Sequence, residues 1–323
     1  MTRRFINQLR DNEVVSETYQ IFDKQLRPNK NGNLYLQFQL QDKSGAISGR
    51  IWNVQEDTYR DLNNGDFVLA EGAVQRYQSA LQFIGKKLTA VDSGTVDMAL
   101  FTRTQSVDIP GLKAKLQDHF KTVKNPSLRN LVDCFWLDAA FMERFCAAPA
   151  GVKLHHAYPG GLLEHTVQMM DVVTKIAPLY PVLDRDLLLV GAFLHDIGKT
   201  EELTYGHIYE MAYVSQGQLP GHPYLGMELL LAKIHESEKL AGEPFDPETA
   251  MLLKHLLISH HGTLENGSAK VPMTLEAMVL HFVDSIDSKL AEFLKYMQDD
   301  PNADGDWTNY VPAIERKLYK KNR

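Results

Sequence analysis

Apolar and polar residues alternate with a period of two over much of the N-terminal part of the chain. The apolar positions in residues 34–41 are Leu34, Leu36, Phe38 and Leu40. Because successive side chains of a β-strand point to opposite faces, this pattern predicts a strand with one buried face. The next stretch, residues 46–53, alternates in the same way and follows the turn sequence DKSG.

The alternation recurs often enough to predict about five short strands in this part of the chain. In the second strand, Ile47, Gly49 and Ile51 form the inward face. A small sheet has unpaired edges unless it closes on itself, so we predict a five-stranded β-barrel of the OB type. The remaining predicted strands lie in residues 13–23 and, as a pair, in residues 67–91.

From about residue 110 onwards, apolar positions recur every three or four residues, which is the period of an amphipathic helix. Proline and glycine divide this pattern into separate helices. The expected fold class is therefore a multidomain α and β protein, with a small N-terminal β-barrel followed by an all-α domain. The predicted boundaries are an OB-type barrel domain at 1–92, a linker at 93–112 and a helical domain at 113–323.

Histidine and aspartate residues lie within the apolar faces of several predicted helices. His165 shares a helical face with Leu162. His195 and Asp196 end an almost wholly apolar helix, and Gly198 is suited to stopping that helix. An unpaired buried charge is costly, and a metal ion is a common partner of His combined with Asp.

Later segments supply further residues of the same kind. Asp284 falls on a predicted apolar face beside Ile286, where an unpaired carboxylate would be unfavourable. His260 lies on the apolar face of another helix and is followed by His261, whereas His222 lies in the loop LPGHPYLG. Each residue alone is more often an ordinary core or surface residue, but the convergence of four segments indicates a metal site.

The charge distribution is compatible with a cation site in the helical part. Residues 1–92 contain 12 Lys and Arg against 11 Asp and Glu, a net charge of +1, so residues 93–323 carry a net charge of −8 and account for the negative charge of the chain. The net negative charge argues against a protein that coats nucleic acid generally. The two cysteines, Cys134 and Cys146, fit a reducing compartment. With no signal peptide and no membrane-span-like stretch in the sequence, we expect a cytoplasmic location and no membrane partner.

The order of the histidines and aspartates resembles that of the HD superfamily of metal-dependent phosphohydrolases. The segments that carry the resemblance are HHAYPGGLLEHT (155–166), AFLHDIGKTEEL (192–203), GH (221–222), ISHHG (258–262) and MTLEAMVLHFVDSIDSK (273–289). Together with the predicted barrel, they resemble the YhaM-type 3′–5′ exoribonuclease family, which joins an N-terminal OB-fold to an HD domain.

The resemblance implies two divalent ions in the helical domain. The ligands of the first ion would be His165, His195, Asp196 and Asp284. Asp196 would bridge to a second ion, and the other ligands of that ion would be His222 and His260, with or without His261. Neutral imidazoles and carboxylates suit Mn²⁺, Fe²⁺, Co²⁺ or Ni²⁺, and the family favours Mn²⁺.

The resemblance also implies that Asp196 and Lys199 are catalytic, with Lys199 contacting a substrate phosphate. An alternative role for Lys199 is to satisfy carbonyls at a helix C-terminus. The choice between His260 and His261 as the main ligand stays open, because adjacent helical residues point about 100° apart. His155 and His156 match the family as well, and a phosphate contact and a structural role are equally compatible with their position.

The barrel would supply the binding surface for a polymeric substrate. OB-type grooves bind single strands by stacking bases on aromatic rings and contacting phosphates with basic residues. Arg50 and Trp52 lie on the strand face opposite Ile47 and Ile51, so they are expected outside the core. The candidate nucleic-acid contacts are Tyr35, Arg50, Trp52, Tyr77 and Phe83.

The predicted function is that of a 3′–5′ exoribonuclease, a hydrolase acting on single-stranded RNA, with single-stranded DNA as a further candidate substrate. One alternative is an HD phosphohydrolase of a free nucleotide or cyclic dinucleotide, but such an enzyme has little use for an OB groove. A second alternative is a non-catalytic single-strand-binding protein, against which the complete set of metal-type residues argues. The family resemblance also suggests a homo-oligomer.

Overall fold

The computed structural model describes residues 3–29, 32–54, 56–77, 80–101, 107–152, 155–204, 212–300 and 305–321. Its N-terminal part contains five strands, β1 to β5, and one short helix, α1. Their bounds are Val14–Pro28 for β1, Leu34–Asp42 for β2, Gly45–Trp52 for β3, Glu56–Arg60 for α1, Phe67–Tyr77 for β4 and Ala80–Val91 for β5.

The five strands close into a barrel in the order β1-β2-β3-β5-β4, with β4 pairing back to β1. All neighbouring pairs are antiparallel except β3 and β5, which are parallel. Closure removes the free edges that the sequence pattern would otherwise have left, and the predicted OB-type barrel is confirmed. Its core contains the inward side chains expected from the alternation, among them Leu36, Phe38, Leu40, Ile47 and Ile51.

The segment after the barrel is ordered as two turns of 3₁₀ helix, Ser93–Thr95 and Met98–Leu100. Phe101 then packs edge-on against Phe67 of β4, with ring centroids 4.8 Å apart, and is fully buried. The chain divides into two compact units, residues 1–105 with 293–323 and residues 106–292. The domain and linker boundaries given above remain predictions.

The rest of the chain is mainly helical. The helices are α2 Ile109–Lys121, α3 Pro126–Leu137, α4 Ala139–Ala147, α5 Gly161–Ile176, α6 Arg185–Leu194, α7 Lys199–Glu202, α8 Ser215–Gln218, α9 His222–Ala241, α10 Pro247–Ser259 and α11 Leu275–Gln298. Two short antiparallel strands, β6 Leu203–Thr204 and β7 Ala212–Tyr213, lie between α7 and α8. Within the described residues, no helix combines the length and the hydrophobicity needed to cross a membrane.

Side-chain caps determine where many of these helices begin. In each case an Asp or Asn side chain accepts a hydrogen bond from a backbone N–H of the first turn, which has no partner inside the helix. The capping residues are Asp108, Asn125, Asp138, Asp184 and Asp246.

Helix α6 lies at the centre of the helical unit. Residues 187–194 are all buried, which accounts for the almost wholly apolar sequence of this helix. The ring of Phe193 contacts four other aromatic rings, those of Phe120, Phe135, Phe141 and Phe145. His195 and Asp196 follow the last residue of α6 directly, so both begin inside the core.

Candidate metal centre

The turn after α6 carries His195 and Asp196, and both side chains are almost completely buried. We expected Gly198 to stop α6 through its backbone freedom, and this expectation is wrong, because its φ of −64° is an ordinary helical value. A side chain at Gly198 would instead put its Cβ 2.0 Å from the carbonyl oxygen of His222. Glycine therefore lets the start of α9 approach the Asp196 turn closely.

His222 is the first residue of α9 and not a loop residue, contrary to the sequence-based prediction. The preceding Gly221 has a φ of +77° and turns the chain into the helix. His260 and His261 follow Ser259, the last residue of α10. His260 still has helical backbone angles, with φ −62° and ψ −27°, yet the two rings lie with their centroids 4.2 Å apart.

Two further histidine and aspartate positions come from long helices. His165 is fully buried in the second turn of α5, as its apolar stripe predicts. Asp284 lies on α11 and faces His165, with its Oδ1 3.4 Å from the ring Nε2. Ile286, which we expected to share the buried face of Asp284, is half-exposed, because two residues along a helix correspond to a rotation of about 200°.

Asp196 lies between two groups of imidazoles and presents one carboxylate oxygen to each group. Its Oδ2 lies 3.2 Å from Nε2 of His195 and 3.8 Å from Nε2 of His165. Its Oδ1 lies 3.3 Å from Nε2 of His222 and 3.7 Å from Nε2 of His260. The seven residues singled out as ligands from the sequence thus come together around a single carboxylate.

Each group contains three residues whose ligand atoms lie within 4.8 Å of one another. The first group consists of His165, His195 and Asp284, and the second consists of His222, His260 and His261. Nε2 of His222 and Nε2 of His261 are 3.2 Å apart. Imidazole nitrogens that converge at such distances on a carboxylate form a donor set suited to divalent transition-metal ions.

Four of the five histidines have an acceptor beside the ring nitrogen directed away from Asp196, whereas the buried Nδ1 of His261 has no hydrogen-bond partner among the described residues. Backbone carbonyls accept from two rings, and carboxylates lie beside the other two. The pairs are His195 Nδ1 with Ala192 O at 2.9 Å, His260 Nδ1 with Leu257 O at 2.7 Å, His165 Nδ1 with Asp287 Oδ2 at 2.6 Å and His222 Nδ1 with Glu202 Oε2 at 3.2 Å. An acceptor at Nδ1 retains the proton there and leaves the Nε2 lone pair free for a metal.

Two buried polar atoms that lack hydrogen-bond partners indicate whether a cation fits this cluster. Asp196 Oδ1 and His260 Nε2 are buried and have no hydrogen-bond partner among the described residues. An unsatisfied buried polar atom costs about 1–3 kcal/mol, and both atoms face the same gap. A cation coordinated there would satisfy both, so the residues present fit a divalent metal ion.

Charge interactions in the cluster favour a bound cation. Burial opposes the charge of Asp196, yet the Lys199 ammonium and the His195 ring hold the pKa of this carboxyl well below its usual range. Burial likewise opposes protonation of His165, but hydrogen bonds to Asp284 and Asp287 raise its pKa to about 9. A position that binds a proton so strongly also attracts a metal ion, which competes with the proton for Nε2.

A cavity of about 440 Å³ opens beside the cluster. Its lining includes His155 and Lys199. The ammonium of Lys199 donates a hydrogen bond to Asp196 Oδ2 at 2.6 Å. Burial, followed by the charge of Lys199, lowers the pKa of His155 to about 4, so this ring is neutral at physiological pH. Tyr213 of β7 and Ser288 of α11 also line the cavity.

His156 differs from its neighbour, because both of its ring nitrogens are engaged inside the protein. Nδ1 lies 2.8 Å from the hydroxyl of Tyr158, and Nε2 lies 2.9 Å from Oδ2 of Asp287. Of the two roles left open from the sequence, the structural one therefore fits His156, whereas His155 lines the cavity.

Four of the five nucleic-acid candidates lie close together on the outer surface of the barrel. Tyr35 and Trp52 are cross-strand neighbours with ring centroids 5.0 Å apart. The guanidinium carbon of Arg50 lies 6.0 Å from the ring centroids of Tyr35, Trp52 and Tyr77. The prediction that Phe83 contacts nucleic acid is wrong, because its ring is fully buried in the barrel core and is not available for stacking.

Sequence reasoning missed several residues that support the cluster, namely Glu202, Glu164 and Tyr158. Glu202 accepts a hydrogen bond from the backbone N–H of His222 at 3.1 Å, in addition to its contact with the ring. The sequence gives only a weak signal for it, an acidic residue in KTEEL shortly after the His-Asp pair. Glu164 and Tyr158 give none, because their importance depends on contacts between distant parts of the chain.

Family comparisons agree with the two-part architecture. The HD domain family matches residues 162–289, and a family described as OB-fold nucleic acid binding domain matches residues 20–91. A solved structure, the solution NMR structure of the second OB-fold domain of replication protein A from Methanococcus maripaludis, covers 30% of this chain and 100% of its own. Its identity of 20% and TM-score of 0.24 are too low to carry an argument.

A curated relative matches almost the whole chain. The 3′–5′ exoribonuclease YhaM of Bacillus subtilis (strain 168) is 31% identical over 293 residues, which is 90% of this chain and 89% of the relative. The resemblance inferred from the motifs is therefore confirmed, and with it a hydrolase of the nuclease type containing a metal-dependent HD domain. The chain belongs to the YhaM-type 3′–5′ exoribonuclease family.

Proposed function

We propose that this protein removes nucleotides one at a time from the 3′ end of single-stranded RNA by metal-dependent hydrolysis, with single-stranded DNA as a second substrate. The observation that carries the proposal is the Asp196 carboxylate, which lies between two groups of imidazoles beside an open cavity. Membership of the exoribonuclease family gives the reaction class. The free cysteines Cys134 and Cys146 are compatible with action in the cytoplasm.

In this proposal the cluster holds two divalent ions, with Mn²⁺ favoured over Fe²⁺, Co²⁺ and Ni²⁺. The first ion is assigned to His165, His195, Asp196 and Asp284. The second is assigned to Asp196, His222 and His260, with His261 as a further ligand. Two divalent ions at such a site supply Lewis acidity for the scissile phosphodiester and activate water at neutral pH.

The protein itself orients the ligands and supplies positive charge. Partners at each Nδ1 keep the Nε2 atoms of His165, His195, His222 and His260 directed at the ions. Lys199 places an ammonium in the cavity, where it stabilises negative charge that grows on a non-bridging phosphate oxygen. His155 is neutral and lines the same cavity, so it can donate a hydrogen bond to the substrate without adding charge.

The polymer is proposed to bind across the outer barrel face formed by Tyr35, Arg50, Trp52 and Tyr77. Trp52 and Tyr77 are 45% and 56% exposed, which leaves ring surface for bases to stack on. The Arg50 Nε is buried and has no hydrogen-bond partner among the described residues, while the guanidinium lies over three rings. A cation surrounded by aromatic surface suits a phosphate flanked by stacked bases.

We predict that Trp52→Ala weakens RNA binding and leaves hydrolysis of a small phosphodiester unchanged. Stacking contributes about 1–3 kcal/mol per base, so the KM for long single-stranded RNA should rise about fivefold to a hundredfold. The small substrate, bis-p-nitrophenyl phosphate, does not reach the barrel face and should show normal turnover. Kinetics on both substrates check this. The matched control is Tyr180→Ala, which removes an exposed aromatic ring outside the barrel and the cavity. Equal losses of Trp52→Ala on both substrates would contradict the proposed binding face.

The direction of hydrolysis tests the proposed function. Full-length protein with Mn²⁺ is incubated with single-stranded RNA labelled at its 5′ end, and products are resolved over time. A labelled ladder that shortens progressively supports 3′–5′ exonuclease action. Release of the labelled nucleotide at the outset would indicate the opposite polarity, and intact RNA beside hydrolysed free nucleotides would favour the small-nucleotide alternative.

We also propose that the protein forms homo-oligomers through the outer face of α11. The side chains spaced three or four residues apart along this face are between 48% and 60% exposed, and they are Leu275, Met278, Phe282, Ile286, Leu290 and Leu294. Apolar side chains repeated every four residues form a ridge that packs into the grooves of a second, identical helix. A two-fold axis near Ile286 would pack this ridge against the same ridge of a second copy, so the interface is formed by two identical α11 faces.

This interface predicts that Phe282→Asp shifts the protein to monomers, because each interface would then bury two unpaired carboxylates. Size-exclusion chromatography with light scattering measures the change. Leu231→Asp, which alters an exposed apolar residue of α9, should leave the oligomeric state intact. A wild-type protein that is monomeric at micromolar concentration would rule the interface out.

A further inference from the structure

A continuous chain of buried and half-buried polar side chains lies behind His165. The hydroxyl of Tyr158 donates to Oε2 of Glu164, and its oxygen lies 2.8 Å from Nδ1 of His156. Nε2 of His156 lies 2.9 Å from Oδ2 of Asp287, and the same oxygen lies 2.6 Å from Nδ1 of His165. Five side chains from three separate segments are thereby connected in series, ending at a proposed metal ligand.

The chemistry of the groups fixes the direction of each hydrogen bond. Tyr158 uses its one hydrogen on Glu164, so its oxygen must accept from Nδ1–H of His156. A carboxylate can only accept, so Asp287 receives hydrogens from both His156 and His165. Because Asp287 holds the proton on Nδ1, it is Nε2, on the side of Asp284 and His195, that can give up its proton to a metal ion.

The backbone holds His156 at the centre of this chain in a strained conformation. Its φ is +45°, in the left-handed region that few non-glycine residues adopt. Its carbonyl oxygen accepts hydrogen bonds from Ala150 at 3.1 Å and Tyr158 at 3.0 Å. A Cβ on Gly161 would lie 2.0 Å from the same carbonyl oxygen, so the start of α5 also has to accommodate this conformation. Strain maintained by several surrounding contacts is characteristic of functional positions.

The second ion position is supported in a different way. There a single carboxylate, Glu202, contacts the Nδ1 of His222 at 3.2 Å and also accepts from the backbone N–H of that residue. The two histidines that receive carboxylate support, His165 and His222, therefore lie on opposite sides of Asp196.

We propose that Glu164, Tyr158, His156 and Asp287 form a positioning relay that orients His165 and sets the affinity of one of the two metal ions. The relay acts on the ion assigned to His165, His195, Asp196 and Asp284, and the Glu202 contact acts on the other ion. These residues are positioning residues, since they touch neither substrate nor metal. The inference rests on the two-ion site of the proposed function and adds residues that determine how differently the two ions bind.

The relay is tested by titrating metal-free, full-length protein with Mn²⁺ and measuring bound metal by calorimetry. Replacing a residue that supports a metal-binding histidine typically weakens metal binding about 10- to 100-fold. Asp287→Asn should therefore lower the affinity for one ion by that factor and leave the affinity for the other unchanged. Tyr158 lies two hydrogen bonds further from the ion than Asp287, so Tyr158→Phe should lower the affinity for the same ion by about threefold to tenfold. Glu202→Gln should instead lower the affinity for the other ion.

The controls separate positioning from folding. Tyr19→Phe removes another buried tyrosine hydroxyl, one that donates to the Arg4 carbonyl at 2.9 Å in the barrel, and should leave both affinities unchanged. His156→Asn breaks the relay while keeping a residue type that tolerates positive φ, so it serves if another variant folds poorly. At saturating Mn²⁺, kcat on RNA should return to the wild-type value in Tyr158→Phe.

The outcomes distinguish the relay from the two-ion site on which it rests. Unchanged affinities in both Tyr158→Phe and His156→Asn, or equal weakening of both ions, would overturn the relay and leave the two-ion site intact. A single ion bound per wild-type chain would contradict the two-ion assignment, and the relay would then be judged by whether that one ion weakens in the variants.

Discussion

Asp196→Asn is expected to lower RNA hydrolysis by about three orders of magnitude or more, the largest effect of any single substitution in this chain. Asp196 is the charged ligand shared by both proposed ions, so its replacement weakens the binding of both, because each ion loses a carboxylate oxygen. Loss of one well-placed electrostatic group alone typically costs about 10²–10³ in kcat. The measurement pairs single-turnover kinetics on labelled RNA with metal analysis of the same preparation, and both should fall.

The control for this substitution is Asp118→Asn. Asp118 is an exposed carboxylate on α2 with one surface partner, Lys121, and its replacement should change neither activity nor metal content. The fold of Asp196→Asn should persist, because asparagine has nearly the size and shape of aspartate and leaves the apolar side chains packed around α6 unchanged. Near-wild-type turnover at matched Mn²⁺ would contradict the bridging role of Asp196.

Lys199→Ala should reduce kcat by about one to three orders of magnitude while leaving metal content unchanged. The ammonium donates to Asp196 at 2.6 Å and lines the cavity, so it is available to a phosphate oxygen that gains charge during the reaction. Lys199→Arg retains the charge and should recover part of the loss. Steady-state kinetics that separate kcat from KM provide the measurement.

Lys175→Ala, an exposed lysine near the end of α5, provides the matched control and should behave as wild type. A second outcome would reassign Lys199. If Lys199→Ala turned over normally but unfolded more easily by about 1 kcal/mol, the side chain would serve stability alone. Loss of metal together with activity would instead mean that Lys199 acts by organising Asp196.

The features that could be predicted from the sequence are those with a local cause. The alternation of Leu36, Phe38 and Leu40 determines which face of β2 is buried, and the barrel follows from the number of such strands. The burial of His165 could be predicted because this residue lies within an apolar helical stripe, and its candidacy as a ligand followed because a buried histidine or aspartate is costly without a partner.

The features that escaped prediction depend on contacts between distant segments. Phe83 and Trp52 look alike as barrel aromatics, yet Phe83 is buried and Trp52 is exposed, because the parallel pairing of β3 with β5 decides which side faces in. Gly198 looks like a helix stop, but its absent side chain makes room for α9. Glu202 and His156 acquire their roles from residues about twenty and 131 positions away, respectively.

Hydrolysis of RNA is expected to depend on metal ions held by the Asp196 cluster. The most direct test is to titrate metal-free, full-length protein with Mn²⁺ and to follow bound Mn²⁺ and shortening of 5′-labelled single-stranded RNA in the same samples. We predict no cleavage in the metal-free protein and an exonuclease rate that rises only as the sites fill, up to two ions per chain. Cleavage at the full rate by metal-free protein in the presence of a chelator would contradict this prediction.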